Sequence, residues 1–346
     1  MMGMTKSILL FCPQKLNNPF SLEASQEDLS IFNQSGAWQE LVFLGKKAAI
    51  APLWVLAQAK AEPTKPWACA ELVHIHAARD HLVLTDPTDL NILPEEEEAL
   101  RLSAIEVIRD FSPVNFYPSI QRWVFPAGDL ASLMTYSPSQ ALGRNIDAWM
   151  PKDTLVPGMA KSWRKFQNEI QMLWHDHPVN QARSLRGALP INSIWLYGIG
   201  SLEDLIPHPI VQNIPTISTF RPYAENLSQL TMHHWVHEQS IVEYLQKIPL
   251  ESLPIAIESC DLHSLTEWSL IWNQVLQLLH QEQITHIDLI KHLEGDLYLS
   301  RLSKDNFRGT LLQGLFLKNQ LKKIKFPDWD EFYSKVQWKK LEVSLV

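Results

Sequence analysis

A chain of 346 residues, 46% of them hydrophobic, can form one large or two medium domains with a full core, and this excludes a disordered polypeptide. A formal charge of −8 excludes the broad basic face that nucleic-acid binding requires. Three scattered cysteines (Cys12, Cys69 and Cys260) without a Cys-x-x-Cys pair exclude a disulfide framework or thiolate zinc site, and fit a reducing cytoplasm.

Ser7–Cys12 (SILLFC) reads as a first buried strand, and its apolar run is too short for a signal segment. Trp38–Ala59 is apolar and partly helical, and Ala61–Pro66 has linker composition. The longest apolar stretch, Ala48–Ala59, is about half of what spans a bilayer, so a soluble protein is expected. Glu71–His76 and His81–Thr85, joined by Ala77–Asp80, predict a hairpin.

A helix follows. Pro94 suits its first turn, and Glu95–Glu98 sit at the positive end of its dipole. Leu100, Ala104, Val107, Ile108 and Phe111 then form its apolar stripe. Arg122–Phe125 reads as a short strand. The spacing predicts a helix over Lys161–His175 with Trp163, Phe166, Ile170 and Leu173 on one face. Further on, Ser193–Tyr197, Thr216–Phe220, Pro254–Glu258 and Thr285–Ile290 are candidate strands. Between the last two, Ser264 and Glu267 have capping-box spacing at the start of a helix from Leu265 to His280. The basic run Lys318–Lys325 reads as a solvated helix end. Strands alternating with helices predict an α/β fold with a mostly parallel sheet. The expected division is an α/β core over 1–66 and 191–346, interrupted by an α+β insertion over 67–190.

The segment His177–Gly200 (HPVNQARSLRGALPINSIWLYGIG) concentrates polar and conformationally special residues. Pro178 restrains His177 to an extended or turn conformation. Asn180 can donate and accept through its amide. Arg183 and Arg186, three apart, share a face if the stretch is helical, about one turn from Asn180. Two guanidinium groups there would clamp a carboxylate or phosphate, with His177, Asn180 and Asn192 orienting it. Arg144 and Asn145, in the loop-like GRNID segment, are further candidates. Gly198-Ile199-Gly200 would let backbone approach a ligand. A second reading is open: the arginines pair with acidic residues, while Asn, Pro and Gly shape a tight crossing.

The run His-Pro-x-Asn-x-x-Arg, followed by Gly, Pro and Asn and a Trp-containing strand ending in glycine, resembles archaeal-type cofactor-independent phosphoglycerate mutases of the alkaline phosphatase superfamily. Ala141–Pro151 (ALGRNIDAWMP), Trp163–Leu173 and Glu71–Pro87 (ELVHIHAARDHLVLTDP) are similar to a bacterial family labelled RpfE-type regulatory or phosphoglycerate-mutase-related. The resemblance is good over most of residues 67–200 and weak elsewhere. It implies an alkaline-phosphatase-like core with a lid-like insertion.

The same resemblance implies two divalent metals and a phospho-acceptor serine, and here the chain departs from it. Closely spaced cations need several carboxylate or imidazole donors. Where the family has Asp-Gly after the first strand, this chain has Cys12-Pro13. In Glu258–Trp268 the metal-capable Asp261, His263 and Glu267 have the wrong spacing, no Asp-His pair follows Thr285–Ile290, and no serine can be assigned.

Two other histidine groups are candidates for metal or for packing. His74 and His76 share a strand face, where His175 and His177 would join them with Asp80 or Asp176; of His233, His234 and His237, the first and last have helical spacing. The expectation is therefore a non-catalytic or altered mutase relative, a pseudoenzyme with a regulatory role. It would bind a small anionic ligand or a protein partner, with no cofactor, nucleic acid or membrane. The alternative is a metal-dependent phosphoryl-transfer enzyme with a rearranged divalent-metal site.

Overall fold

The structure is a computed structural model that describes residues 6–12, 38–57, 64–111, 117–119, 122–142, 145–212, 214–218, 234–236, 241–247, 253–257, 265–293, 296–307 and 336–342. The chain divides into two compact units, one of Met1–Phe43 with Pro207–Val346 and one of Leu44–Ile206. The first unit opens with β1 (Ser7–Phe11), buried from Ile8 onward, and helix α1 (38–44). Phe11 packs its ring at a tilt against Trp38 and Phe43, with centroids 5.5 and 5.1 Å away.

The second unit begins with α2 (Ala51–Ala57) and continues into β2 (Trp67–Val73), every residue of which is buried. The predicted hairpin forms between β3 (Ile75–Ala77) and β4 (Leu82–Leu84), with Ala78 N–H donating to His81 O, but its first arm is corrected: Glu71–Val73 lie in β2 and pair with β6 and β9. The acidic run opens α3 (Pro94–Ser103), and the chain resumes after Ala104 as α4 (Ile105–Phe111). Next come β5 (Tyr117–Ser119), β6 (Arg122–Pro126), β7 (Leu133–Met134), α5 (Pro138–Ala141) and β8 (Lys152–Asp153). The unit ends with α6 (Met159–His175), α7 (Pro178–Leu185) and β9 (Ser193–Gly200).

Strands β5-β6-β2-β9 form an antiparallel sheet. One face carries Ala68, Ala70, Leu72, Trp123, Phe125, Ile194 and Leu196 into a core with Leu100, Ile108, Trp163, Phe166, Ile170 and Trp174. Helix α2 packs against β2, β6 and β9. The tryptophan-rich composition is spent in such interiors, as Trp123 and Trp174 meet edge to face at 5.9 Å. The face of α6 is corrected in one place. Trp174 is fully buried and Leu173 is 38% exposed, because Ile170 is followed by i+4 rather than i+3 on the buried stripe.

The placement of Ser193–Tyr197 in a parallel sheet is also corrected. It lies in β9 and pairs antiparallel with β2 inside the 44–206 unit. A strand buried on both faces reads as a continuous apolar run in either kind of sheet.

The first unit resumes with α8 (Pro209–Gln212), β10 (Thr216–Ser218), β11 (His234–Val236), α9 (Ile241–Lys247) and β12 (Ile255–Ile257). Helix α10 (Leu265–His280), β13 (His286–Leu293), β14 (Asp296–Ser303) and β15 (Lys339–Lys340) follow. Its sheet has the order β11-β10-β12-β1-β13-β14-β15, parallel from β11 to β13 and antiparallel in the last two pairs. The fold is thus mixed α/β, with a mixed sheet whose parallel strands include the predicted first strand and three of the four later candidates. Ile8, Leu10, Ile255, Ile257, Ile287 and Leu289 bury one face of it beneath Trp268, Ile271, Trp272 and Val275 of α10. No helix among the described residues is long and apolar enough to cross a membrane.

Candidate functional site

The His177–Gly200 segment folds as helix, tight turn and strand, and its polar groups meet partners from the chain itself. His177 is the N-cap of α7, its Nδ1 accepting the Val179 N–H at 3.2 Å, with Pro178 at the first helical position. Asn180 is buried and uses its whole amide: Nδ2 donates to Trp174 O and Ile191 O at 2.8 Å each, and Oδ1 accepts from Ile191 N–H at 2.7 Å. It ties the end of α6 to the approach of β9. Asn192 acts as a peptide mimic, accepting from Ile75 N–H and donating to Ile75 O at 2.8 Å each.

The two arginines do converge, on an acid. Arg183 is 0% exposed; its Nε donates to Leu189 O at 2.7 Å, its Nη1 to Glu96 Oε2 at 2.6 Å and its Nη2 to Leu90 O at 2.5 Å. Arg186 donates from Nη2 to Glu96 Oε1 at 2.6 Å and remains 43% exposed. Glu96 also accepts the Leu93 N–H at the start of α3, at 3.1 Å. One buried carboxylate therefore joins α3, α7 and the turn after α7. A ligand carboxylate or phosphate on Arg183 would have to displace Glu96, and the anion clamp of the sequence reading is filled from within the chain. Glu96 and Glu97 depart from the simple dipole role. Both are buried, and Glu97 accepts Trp123 Nε1–H at 2.7 Å.

Asn145 lies apart from this cluster. Its Oδ1 accepts from Asp147 N–H at 3.0 Å, and its backbone bridges to Val83. Arg144 lies outside the described residues. The glycines of β9 are packed closely against the chain's own 49–51 segment. A Cβ on Gly198 would stand 2.4 Å from Ile50 Cγ2, and one on Gly200 2.6 Å from Ala49 Cβ.

A second buried polar group escaped the sequence reading. Tyr197 O–H donates to Glu71 Oε2 at 2.7 Å, and Arg122 Nη2 lies 3.6 Å from Glu71 Oε1 with its guanidinium carbon 4.3 Å from the centre of a Trp54 ring. Glu71 faces opposite to Ala70 and Leu72 in an otherwise apolar strand, which is the signal that marks it.

His74 and His76 stack at 6.1 Å, His74 Nδ1 being bonded to Pro190 O at 2.8 Å and His76 Nδ1 lying 3.4 Å from Thr85 Oγ1. His175 and Asp176 are exposed, and no group of three metal-capable side chains occurs among the described residues. His233, His237, Cys260, Asp261, His263, Ser264, the side chain of Glu267 and Lys318–Lys325 lie outside the described residues.

Burial holds the imidazoles of His74 and His177 below the ordinary histidine value of 6.5. The unfolded unit therefore binds more protons than the folded one as pH falls through that value, so this contribution to stability is complete above it and is lost below it. The urea midpoint is expected to fall between about pH 7 and pH 5, and less steeply in His74→Gln. An equal slope in the variant would remove His74 from the account.

In the other unit, Cys12 follows β1 and donates its N–H to Ile290 O at 2.8 Å. Burial pushes its thiol well above the ordinary value, with Lys291 opposing. The divalent metals implied by the family resemblance need anionic or imidazole donors at this strand end. A neutral buried thiol beside an ammonium does not fit them.

No protein-family model matches the chain, and no curated protein matches it. Among solved structures it is similar to the cofactor-independent phosphoglycerate mutase from Thermoplasma acidophilum DSM 1728, with a TM-score of 0.35 and 16% identity over 92% of this chain and 94% of that one. It is also similar to the PH0037 protein from Pyrococcus horikoshii, with a TM-score of 0.39 and 10% identity over 83% of this chain and 82% of that one.

Proposed function

We propose that this chain is a non-catalytic or altered relative of cofactor-independent phosphoglycerate mutase, and that it binds a small phosphate- or carboxylate-bearing ligand in a reducing cytoplasm. The observation that carries the reading is the pair at the end of β1. The neutral Cys12 and the cation Lys291 stand where the resemblance calls for metal-binding carboxylates. A cation there repels divalent metals and attracts an anion. His177, Asn180, Arg183 and Asn192 hold the crossing together in this reading, and Arg186 is the member that reaches solvent. The lid-like role of the insertion and the regulatory label of the resembled bacterial family are part of the same proposal.

Purified protein incubated with manganese or magnesium and 3-phosphoglycerate is expected to form no 2-phosphoglycerate, while phosphate raises its melting temperature. Steady interconversion, with stoichiometric manganese or zinc retained by the protein, would instead establish the metal-dependent phosphotransferase.

A further inference from the structure

We propose that the outer face of helix α7 docks a second copy of this chain, the two helices lying antiparallel about a two-fold axis near Ala182. The inference goes beyond the anion-binding reading and stands independently of it.

Helix α7 is turned inside out. A helix on a core ordinarily buries its apolar stripe and shows its polar face to water. Here the buried residues are Asn180 and Arg183, which bond to α6, to the approach of β9 and to Glu96. The opposite face is apolar. Pro178, Ala182 and Leu185 are spaced i, i+4, i+7, so they lie along one line of the helix, and all three are exposed. Leu185 is the extreme case, at 91% exposure. The patch continues beyond the helix. Arg183 Nε donates to Leu189 O, and Glu96, bonded to both arginines, accepts the Leu93 N–H. Those bonds draw Leu189 and Leu93, 44% and 42% exposed, to the side of α7. The polar inner face has its reason in the Glu96 network. The apolar outer face has none among the described residues, and a contiguous exposed apolar cluster marks a contact surface.

A second copy matches that face in pattern and charge. Ala182 lies between Pro178 and Leu185, so a two-fold axis there sets Leu185 of each copy beside Pro178 of the other. The small alanine at the axis lets the backbones approach. Asp176 precedes the helix and Arg186 follows it, and both are exposed. The same axis brings Arg186 of each copy toward Asp176 of the other, so the contact is charge-complementary to itself. A chain of net charge −8 repels its copies in general, whereas this contact is charge-balanced. The patch is smaller than the roughly 20 residues a side of a standard interface, which makes the dimer weak and reversible, with a dissociation constant on the order of 10–100 µM.

The test is sedimentation velocity of the full chain over a concentration series that brackets this range. The wild type is expected to show a reversible monomer–dimer equilibrium. The dissociation constant should rise about fivefold in Asp176→Arg and about a hundredfold in Leu185→Asp. Leu270→Asp, at an exposed leucine of α10, should dimerise as the wild type does. Leu185 is so exposed that its replacement removes little from the fold, and the urea midpoint of Leu185→Asp checks this. Should that variant fail to fold, Ala182→Lys decides in its place. A wild type that stays monomeric throughout overturns the proposal and leaves the face to a different protein. Dimerisation undiminished in Leu185→Asp or Ala182→Lys also overturns it, because the copies must then meet elsewhere.

Discussion

Replacing Arg183 with methionine is expected to lower the unfolding free energy of the 44–206 unit by about 3–5 kcal/mol, the usual cost of removing one partner of a buried ion pair. The side chain is 0% exposed and supplies three donors to Glu96, Leu90 and Leu189. Methionine fills much of the volume but leaves the two carbonyls without the Arg183 donors and leaves Glu96 to Arg186 and the Leu93 N–H. Arg186→Met should cost far less, about 1 kcal/mol, because that guanidinium is 43% exposed and makes one bond within the described residues. Urea unfolding of the two variants reads the difference. If Arg183→Met costs no more than Arg186→Met, then the buried clamp contributes nothing special and the ligand-binding reading of Arg183 regains its place.

Gly198→Ala is expected to cost more than Gly187→Ala, although both glycines have left-handed backbone, with φ of 66° and 76°. A Cβ at Gly187 meets nothing within 4 Å, so that variant reports the strain of a left-handed alanine alone, about 1–2 kcal/mol. At Gly198 the new atom lies 2.4 Å from Ile50 Cγ2 and 3.3 Å from the Ala51 N. Residues 50 and 51 or β9 must then shift, which adds about 1–3 kcal/mol of overpacking. Denaturant midpoints of the two variants measure the gap. Equal costs would mean that the 49–51 segment yields freely, and the glycines of β9 would again be available for a ligand.

The elements that sequence places best are those whose pattern is local. Pro94 with its carboxylates, the β3–β4 hairpin, α10 and the strands β1, β12 and β13 all follow from spacing and turn chemistry. The stripe of α6 is ambiguous at its last turn because both i+3 and i+4 after Ile170 are apolar, and the buried one is Trp174. The strand β9 is legible as a strand but not as a member of the antiparallel sheet, since SIWLYGIG lacks the alternation that marks a one-sided strand.

For the site, residue types were legible and partners were not. Arg183 and Arg186 meet on Glu96, Asn180 ties α6 to the approach of β9, His177 caps α7, and Asn192 pairs with Ile75. Glu96, however, lies 87 residues before Arg183, and nothing in a run of four glutamates says which of them is buried. Ile75, 117 residues before Asn192, is likewise invisible as its partner. Such pairings are set by how α3 packs on α7 and how β2 packs on β9, a tertiary outcome.

The central claim is that the charged residues of the His177–Gly200 segment hold a core together, and the coupling between Arg183 and Glu96 tests it most directly. A double-mutant cycle of Arg183→Met and Glu96→Gln, followed by urea unfolding, is predicted to give a coupling energy of about 2–3 kcal/mol. Additivity within about 0.5 kcal/mol would contradict it.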